Sequence, residues 1–201
     1  MATTEVSIAN IALGNIGVNK FIAALDEQRS SEARICNQFY EHSRQYVLRD
    51  GLWTFAKRYI NLTLVEEDPT PEWQFSYRYP PDCLLARYIV NPILGRQERK
   101  PTEYEIAGDD QGTLILTDME DAQLCYTMDV INPGRYDQMF TSAFAWHLST
   151  KIWTLSKLKE VLAMATKMYQ TERDVALAYA YNEQKYADPR QEAEWIQGRD
   201  S

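Results

Sequence analysis

Apolar side chains recur with helical spacing in the first quarter of the chain. Over residues 5–17 they lie three and four positions apart, which predicts a helix that ends near Gly17. A second helix is predicted to begin at Ser30 or Ser31, because serine is a good N-terminal cap, and to end near Arg49. The N-terminal region is therefore expected to be helical.

The hydrophobic period then changes to two. Apolar residues alternate with polar ones over residues 60–64 and again over 73–79, where Pro80-Pro81 ends the pattern. Further strands are expected over residues 87–90, 102–106, 113–117 and 123–130, with a hairpin turn over residues 108–112. No helical pattern separates these strands, so the sheet is expected to be antiparallel.

Helical spacing returns after Asn132-Pro133-Gly134. Residues 135–156 are apolar almost all round, which is typical of a helix inside a bundle or between subunits, and a longer helix is predicted over 157–185. The pattern predicts an α+β fold in which the N- and C-terminal helices form an antiparallel helical bundle with an inserted antiparallel β-sheet lobe. The predicted units are a helical domain (1–57 and 135–187), the β-sheet lobe (58–134) and a C-terminal docking tail (188–201).

The net charge of −8 is confined to the middle of the chain. Residues 58–134 carry fourteen acidic and six basic residues, whereas acids and bases balance on both sides of this segment. An acidic segment repels phosphate, so a sequence-reading nucleic-acid binder is disfavoured. No apolar run is long enough for a membrane span, and a secretory signal is not expected.

The sequence contains no recognisable catalytic or cofactor-binding motif, and the prediction is that the chain is not an enzyme and holds no cofactor. Its three cysteines are too dispersed for a disulfide framework or a zinc site. His42 is expected on a polar helix face together with Ser43 and Arg44. His147, between Trp146 and Leu148, is expected to be a hydrogen-bonded core histidine.

Two groups of charged residues could bind something. The acidic group could hold a divalent cation or simply form solvated turns, and the second interpretation is preferred because turns favour aspartate and the spacing fits no calcium loop. A basic group before Pro101 could form a solvated loop or dock an acidic partner. The acidic group is Asp109, Asp110, Asp118, Glu120 and Asp121, and the basic group is Arg96, Arg99 and Lys100.

Three segments carry a resemblance to a known family. Residues 44–56 (RQYVLRDGLWTFA) end a predicted helix and lead into a strand, residues 73–84 (WQFSYRYPPDCL) form an aromatic strand that ends in prolines and an acid, and residues 8–17 (IANIALGNIG) form the first helix. Together they resemble the tail tubular protein A, or head-to-tail adaptor (connector), family of short-tailed bacteriophages. The rest of the chain matches the family only in the order of its elements.

The resemblance implies a structural protein of the virion, made in the host cytoplasm and located at the head–tail junction. It implies a dodecameric homo-oligomeric ring between the portal protein and a nozzle similar to tail tubular protein B. The ring would lengthen the channel through which genome DNA passes without sequence-specific binding, and the acidic group would face this channel or the nozzle.

Site residues follow from this expectation. Large aromatic side chains are expected to clamp the helical part to the sheet: Trp53, Phe55, Trp73, Phe75 and Tyr77. Trp195 and Ile196 in the polar tail are candidates for docking against the portal, although the tail could equally be a frayed terminus. An alternative function is a carbohydrate-binding or hydrolytic tail module, with Trp73, Tyr77 and Tyr79 as a sugar platform and nearby carboxylates as acid and base.

Overall fold

The computed structural model describes residues 3–27, 29–90, 102–156 and 158–184, the last four without their side chains. These residues form four helices and seven strands. The helices are α1 (Glu5–Asn15), α2 (Ser31–Arg49), α3 (Gln138–Ile152) and α4 (Glu160–Gln184). The strands are β1 (Lys57–Asn61), β2 (Thr63–Thr70), β3 (Trp73–Arg78), β4 (Cys83–Val90), β5 (Glu105–Asp109), β6 (Gly112–Thr117) and β7 (Gln123–Met128).

The strands form two antiparallel sheets. The three-stranded sheet has the order β1-β7-β4, and the four-stranded sheet has the order β2-β3-β6-β5. The chain passes between the sheets four times: at Leu62 between β1 and β2, between β3 and β4, between β4 and β5, and between β6 and β7. At the first crossing the Leu62 amide donates a hydrogen bond of 2.8 Å to the Ala122 carbonyl, which joins the first crossing to the last.

Helix α3 lies at the centre of the helical contacts, against α1, α2 and α4. It begins at the cap Asp137, whose carboxylate accepts from the Phe140 amide, and it buries Phe140, Phe144 and Leu148 completely. Burial on all sides explains why its sequence is apolar all round. Within the described ranges, no helix has both the length and the apolar content that a membrane crossing needs.

A buried ionic contact joins α2 to the end of β7. The side chain of Arg44 is 1% exposed and contacts both Asp129 and Glu41. Its guanidinium also donates a hydrogen bond of 2.9 Å to the Val130 carbonyl. Burial lowers the pKa of Arg44, but its hydrogen bonds to Asp129 and Glu41 outweigh this effect and raise the pKa overall.

The turn after α2 carries an aromatic corner. Trp53 is 1% exposed, and its indole Nε1 donates a hydrogen bond of 2.7 Å to the Val47 carbonyl. Its ring packs edge-on against Phe140 of α3, with centroids 4.9 Å apart. Half-buried Phe55 lies between Phe140 and Tyr136, at centroid distances of 5.0 and 5.9 Å. The corner thus holds the start of β1 against α3.

The predicted architecture is wrong, although both helices and antiparallel strands are present. Along the chain the helices are separated by strands and do not form a terminal bundle, although α3 contacts the other three, and the strands form two sheets instead of one inserted lobe. One buried core continues from the helices into both sheets, through Tyr77, Ile115 and Leu124. The apolar pattern of α3 correctly indicated that this helix is buried. The pattern alone does not show which elements cover the helix.

Candidate interaction surface

The two sheets carry opposite charges. The strands of the three-stranded sheet contain three basic residues and no acidic one, namely Lys57, Arg58 and Arg87. The strands of the four-stranded sheet contain five acidic residues and one basic residue, Arg78. The strands therefore form a basic sheet next to an acidic one, and each can attract the opposite type of surface. Eight further acids among the described residues of 58–134 lie outside the strands.

Two tyrosines and a lysine lie together on one face of the three-stranded sheet. Both tyrosines, Tyr59 on β1 and Tyr88 on β4, pair with Cys125 of the central strand, and their hydroxyls are 3.0 Å apart. The Lys57 ammonium lies 5.2 Å from the Tyr59 ring centre and 5.9 Å from that of Tyr88, within the range of cation–π attraction. Burial, followed by the hydrogen bond to Tyr59, raises the pKa of Tyr88.

Arg87 extends the same cationic face into the interior. Its Nε donates a hydrogen bond of 2.9 Å to the Thr127 hydroxyl, and its Nη2 donates one of 3.0 Å to the Trp53 carbonyl. Burial lowers the pKa of Arg87, and no carboxylate of the described residues forms a salt bridge with it. Arg87 therefore joins the sheet to the aromatic corner, and its charge has no acidic partner within the part of the chain that the structure describes.

Among the described residues, no strand pairs with the outer side of β1, which is an edge of the three-stranded sheet. The Ala56 carbonyl and the Leu62 amide both bond toward the β7 side. By the alternation of an antiparallel ladder, the backbone groups of Lys57, Tyr59 and Asn61 point away from β7. The Lys57 amide already donates a hydrogen bond of 3.2 Å to the Thr54 carbonyl, so the Tyr59 and Asn61 amides are the ones open to a new strand. The strand has regular register and contains no proline, so this edge can accept another strand.

Strand β2, an edge of the four-stranded sheet, follows directly along the chain. Leu64 and Val65 are 45% and 43% exposed, which is unusual for adjacent aliphatic residues, and Glu66 and Glu67 after them are exposed as well. None of the described salt bridges involves either glutamate. Residues 57–67, here called the edge segment, thus run along the border of both sheets. Most of them are exposed, Lys57 and Leu62 are half-buried, and β2 has a register shift between Leu64 and Glu66.

The predicted acidic group does not come together. Asp109 and Asp110 lie in the β5–β6 turn, whereas Asp118, Glu120 and Asp121 lie between β6 and β7, at the other end of β6. Asp109 is engaged by Arg78 through two hydrogen bonds of 2.9 and 2.8 Å, which hold its pKa at about 2. The described residues contain no group of three or more side chains suited to a metal ion.

The aromatic residues of β3 differ in exposure. Tyr77 is 2% exposed, and its hydroxyl donates a hydrogen bond of 2.8 Å to the Met119 carbonyl. Phe75 and Trp73 are half-buried, and the Trp73 indole donates a hydrogen bond of 3.0 Å to Glu105. Tyr77 therefore belongs to the core and is not open to stack on a sugar, which removes one member of the suggested carbohydrate platform.

The remaining site predictions lie outside the described residues. These are the basic group Arg96, Arg99 and Lys100, the tail residues Trp195 and Ile196, and the docking tail 188–201 as a whole.

The predicted burial of His147 is confirmed. The side chain is 4% exposed, stacks on Tyr46 at a centroid distance of 4.4 Å and meets the edge of the Tyr169 ring at 5.0 Å. Burial, and then the charges of Lys151 and His42, lower the pKa of His147 to about 4. Its Nδ1 has no hydrogen-bond partner among the described residues, so the expected core hydrogen bond is missing at that atom.

No protein-family model matches this chain, and no curated protein matches it.

Sequence reasoning missed the edge segment. The signal was present in the order Lys57-Arg58, Tyr59-Ile60, Leu64-Val65, Glu66-Glu67: two bases, apolar pairs and two acids in succession. Only the sheet order shows that this run lies at a border, because a pattern of side chains does not state which strands lack neighbours.

Proposed function

We propose that this chain is a structural head-to-tail adaptor of a phage virion. In this proposal, copies of the chain form a ring between the portal protein and the tail nozzle, and the ring extends the channel for genome DNA. The role is one of assembly rather than catalysis. The resemblance of residues 8–17, 44–56 and 73–84 to the tail tubular A family is the reason for naming this particular assembly.

The observation that carries an assembly role is the edge segment. In this segment Tyr59 and Ile60 are 51% and 40% exposed, and Leu64 and Val65 nearby are exposed as well. Adjacent apolar residues on an unpaired strand edge favour pairing with another chain, and isolated proteins usually block such edges. Opposite charges on the two sheets also favour contact between unlike surfaces of neighbouring copies, which is the kind of contact that closes a ring.

Electron microscopy of the purified full chain, alone and mixed with portal protein, tests this function. We expect closed rings that stack coaxially on the portal and leave an open central channel. Mass photometry of the same samples gives the number of copies, starting from a chain mass of 23.4 kDa. A particle that stays at the mass of one chain in both samples would refute the proposal.

A further inference from the structure

The edge segment has complementary halves. Lys57 and Arg58 stand at its start, and Glu66 and Glu67 stand at its end, with the apolar pairs between them. If two copies of the segment lie antiparallel about Leu62, the two bases of one copy face the two acids of the other. A parallel alignment of the two halves instead places Arg58 against an apolar residue, so charge selects the antiparallel direction.

The same alignment matches the apolar residues. With Leu62 opposite itself, Tyr59 faces Val65 and Ile60 faces Leu64 of the second copy. All four of these side chains are at least 40% exposed, so a second copy would remove apolar surface from water that the fold itself leaves uncovered. Aromatic–β-branched pairs across two strands stabilise a sheet in addition to this burial.

The charges of the segment are available for such a contact. None of the salt bridges among the described residues involves Lys57, Arg58, Glu66 or Glu67. The acids of β5 differ, because Asp109 is already held by Arg78 and Glu105 accepts from Trp73. The β2 acids are thus the better partners for the β1 bases.

We infer that β1 of one copy pairs antiparallel with β2 of a second copy, with Lys57 and Arg58 opposite Glu66 and Glu67. The new ladder is formed by the amides of Tyr59 and Asn61 and by the carbonyls of Lys57, Tyr59 and Asn61, which point away from β7. With Leu62 opposite itself the contact is two-fold symmetric and is complete with two copies, so a ring needs a second, different contact between such pairs. The inference rests on the proposed function in that it needs a second copy of the chain, and it adds the surface and the direction of one contact.

Charge reversal on each half of the segment tests the pairing. The acidic variant carries Lys57→Glu and Arg58→Glu, and the basic variant carries Glu66→Lys and Glu67→Lys. Each variant alone places like charges opposite each other, so we expect its dissociation constant for self-association to rise on the order of a hundredfold. Mass photometry over a concentration series measures this constant.

Mixing the two variants is the decisive step. In the mixture every contact between unlike copies again pairs acids with bases, so we expect assembly to return with equal numbers of both variants, as measured by native mass spectrometry. The matched control carries Arg29→Glu and Arg34→Glu, at exposed positions outside the sheets. It changes the net charge by the same amount as the acidic variant does. We expect it to assemble like the wild type.

Hydrogen exchange of the unmodified chain gives an independent measurement. On assembly, the amides of Tyr59 and Asn61 should exchange at least ~10-fold more slowly, because they gain strand partners. Unchanged exchange at these amides in the assembled chain would overturn the inference, whether or not the variants fold.

The outcomes separate the inference from the proposed function. Rings that are sensitive to charge reversal and restored by mixing support both. Two-copy particles with the same sensitivity support the strand pairing and overturn the ring. Rings that are indifferent to the reversals overturn the pairing and leave the ring standing. A chain that remains single at all concentrations overturns both.

Discussion

Removal of the Asp129 carboxylate should destabilise the fold more than removal of the arginine that it contacts. Arg44 is 1% exposed, whereas the side chain of Asp129 is 18% exposed. In Asp129→Asn the guanidinium stays buried with Glu41, whose side chain is 60% exposed, and with the Val130 carbonyl. A buried charge that loses its main partner costs about 3–5 kcal/mol, and the remaining acceptors reduce this to about 2–4 kcal/mol.

Removal of the Arg44 guanidinium leaves fewer buried polar groups without a partner. In Arg44→Met, Asp129 keeps its contact with water and still accepts from the Gln45 amide at 3.2 Å. The Val130 carbonyl keeps the Tyr136 hydroxyl as donor, at 2.8 Å. Because no buried group is orphaned and methionine fills much of the space, we expect a loss of roughly 1–2 kcal/mol. The double variant should be more stable than Asp129→Asn alone, since it no longer buries an unpaired charge.

Urea unfolding at neutral pH measures these differences, with the free energy of unfolding taken from midpoint and slope. All variants should be compared at one protein concentration, because self-association would stabilise the folded state. Glu41→Gln is the control at the exposed side of the same guanidinium, with an expected cost of at most ~1 kcal/mol. If Asp129→Asn lies within ~0.5 kcal/mol of the wild type, or the double variant is less stable than both singles, the reasoning is refuted.

Two further predictions concern His147 and Trp53. The pKa of His147 is lowered from 6.5 to about 4 in the folded chain, so the unfolded chain binds more protons between these values. The contribution of neutral His147 to the free energy of unfolding is complete above pH 6.5 and falls by roughly 3 kcal/mol as the pH drops to about 4. This part of the pH dependence should be absent from His147→Phe when both proteins are unfolded with urea over the same pH range. Equal pH profiles of the two proteins would contradict the prediction. Trp53→Phe should cost about 2–3 kcal/mol by thermal or urea unfolding, because the Val47 carbonyl loses its donor and a cavity forms. Half-buried Trp153→Phe serves as the control, and an equal effect of both substitutions would exclude the assigned role of Trp53.

Local signals predicted the elements well. The second helix was expected from Ser30 or Ser31 to about Arg49, and α2 spans Ser31–Arg49 with Ser30 as its cap. The alternating aromatic run likewise became β3. Capping and alternation depend on residues within a few positions of one another, so both can be recognised directly in the sequence.

The polar face of α2 was assigned wrongly. Ser43 and Arg44 were placed beside His42 on an exposed face, yet they are 0% and 1% exposed. For Arg44 the deciding partner is Asp129, which lies 85 positions further along the chain. Helical periodicity classifies a side chain by its type and cannot anticipate a distant carboxylate that makes burial of a charge tolerable.

The edge segment shows why the sheets were harder to predict than the helices. Ile60, Leu62 and Leu64 alternate as one strand would, and the sequence has no break between them, yet Leu62 separates strands of two different sheets. Strand propensity also argued against β2, since Glu66 and Glu67 are poor strand formers. An exposed edge tolerates such residues, because neither face of the strand there is fully buried.

The net charge of residues 58–134 also conceals how the charges are distributed among the strands. The excess of acids in residues 58–134 is divided between the four-stranded sheet and the residues outside the strands, whereas Lys57, Arg58 and Arg87 make the other sheet basic. A uniformly acidic lobe would repel its own copies, whereas a basic border joined to an acidic one attracts them in a single antiparallel direction. The arrangement of charge between strands therefore reverses the conclusion about self-association that net charge alone would support.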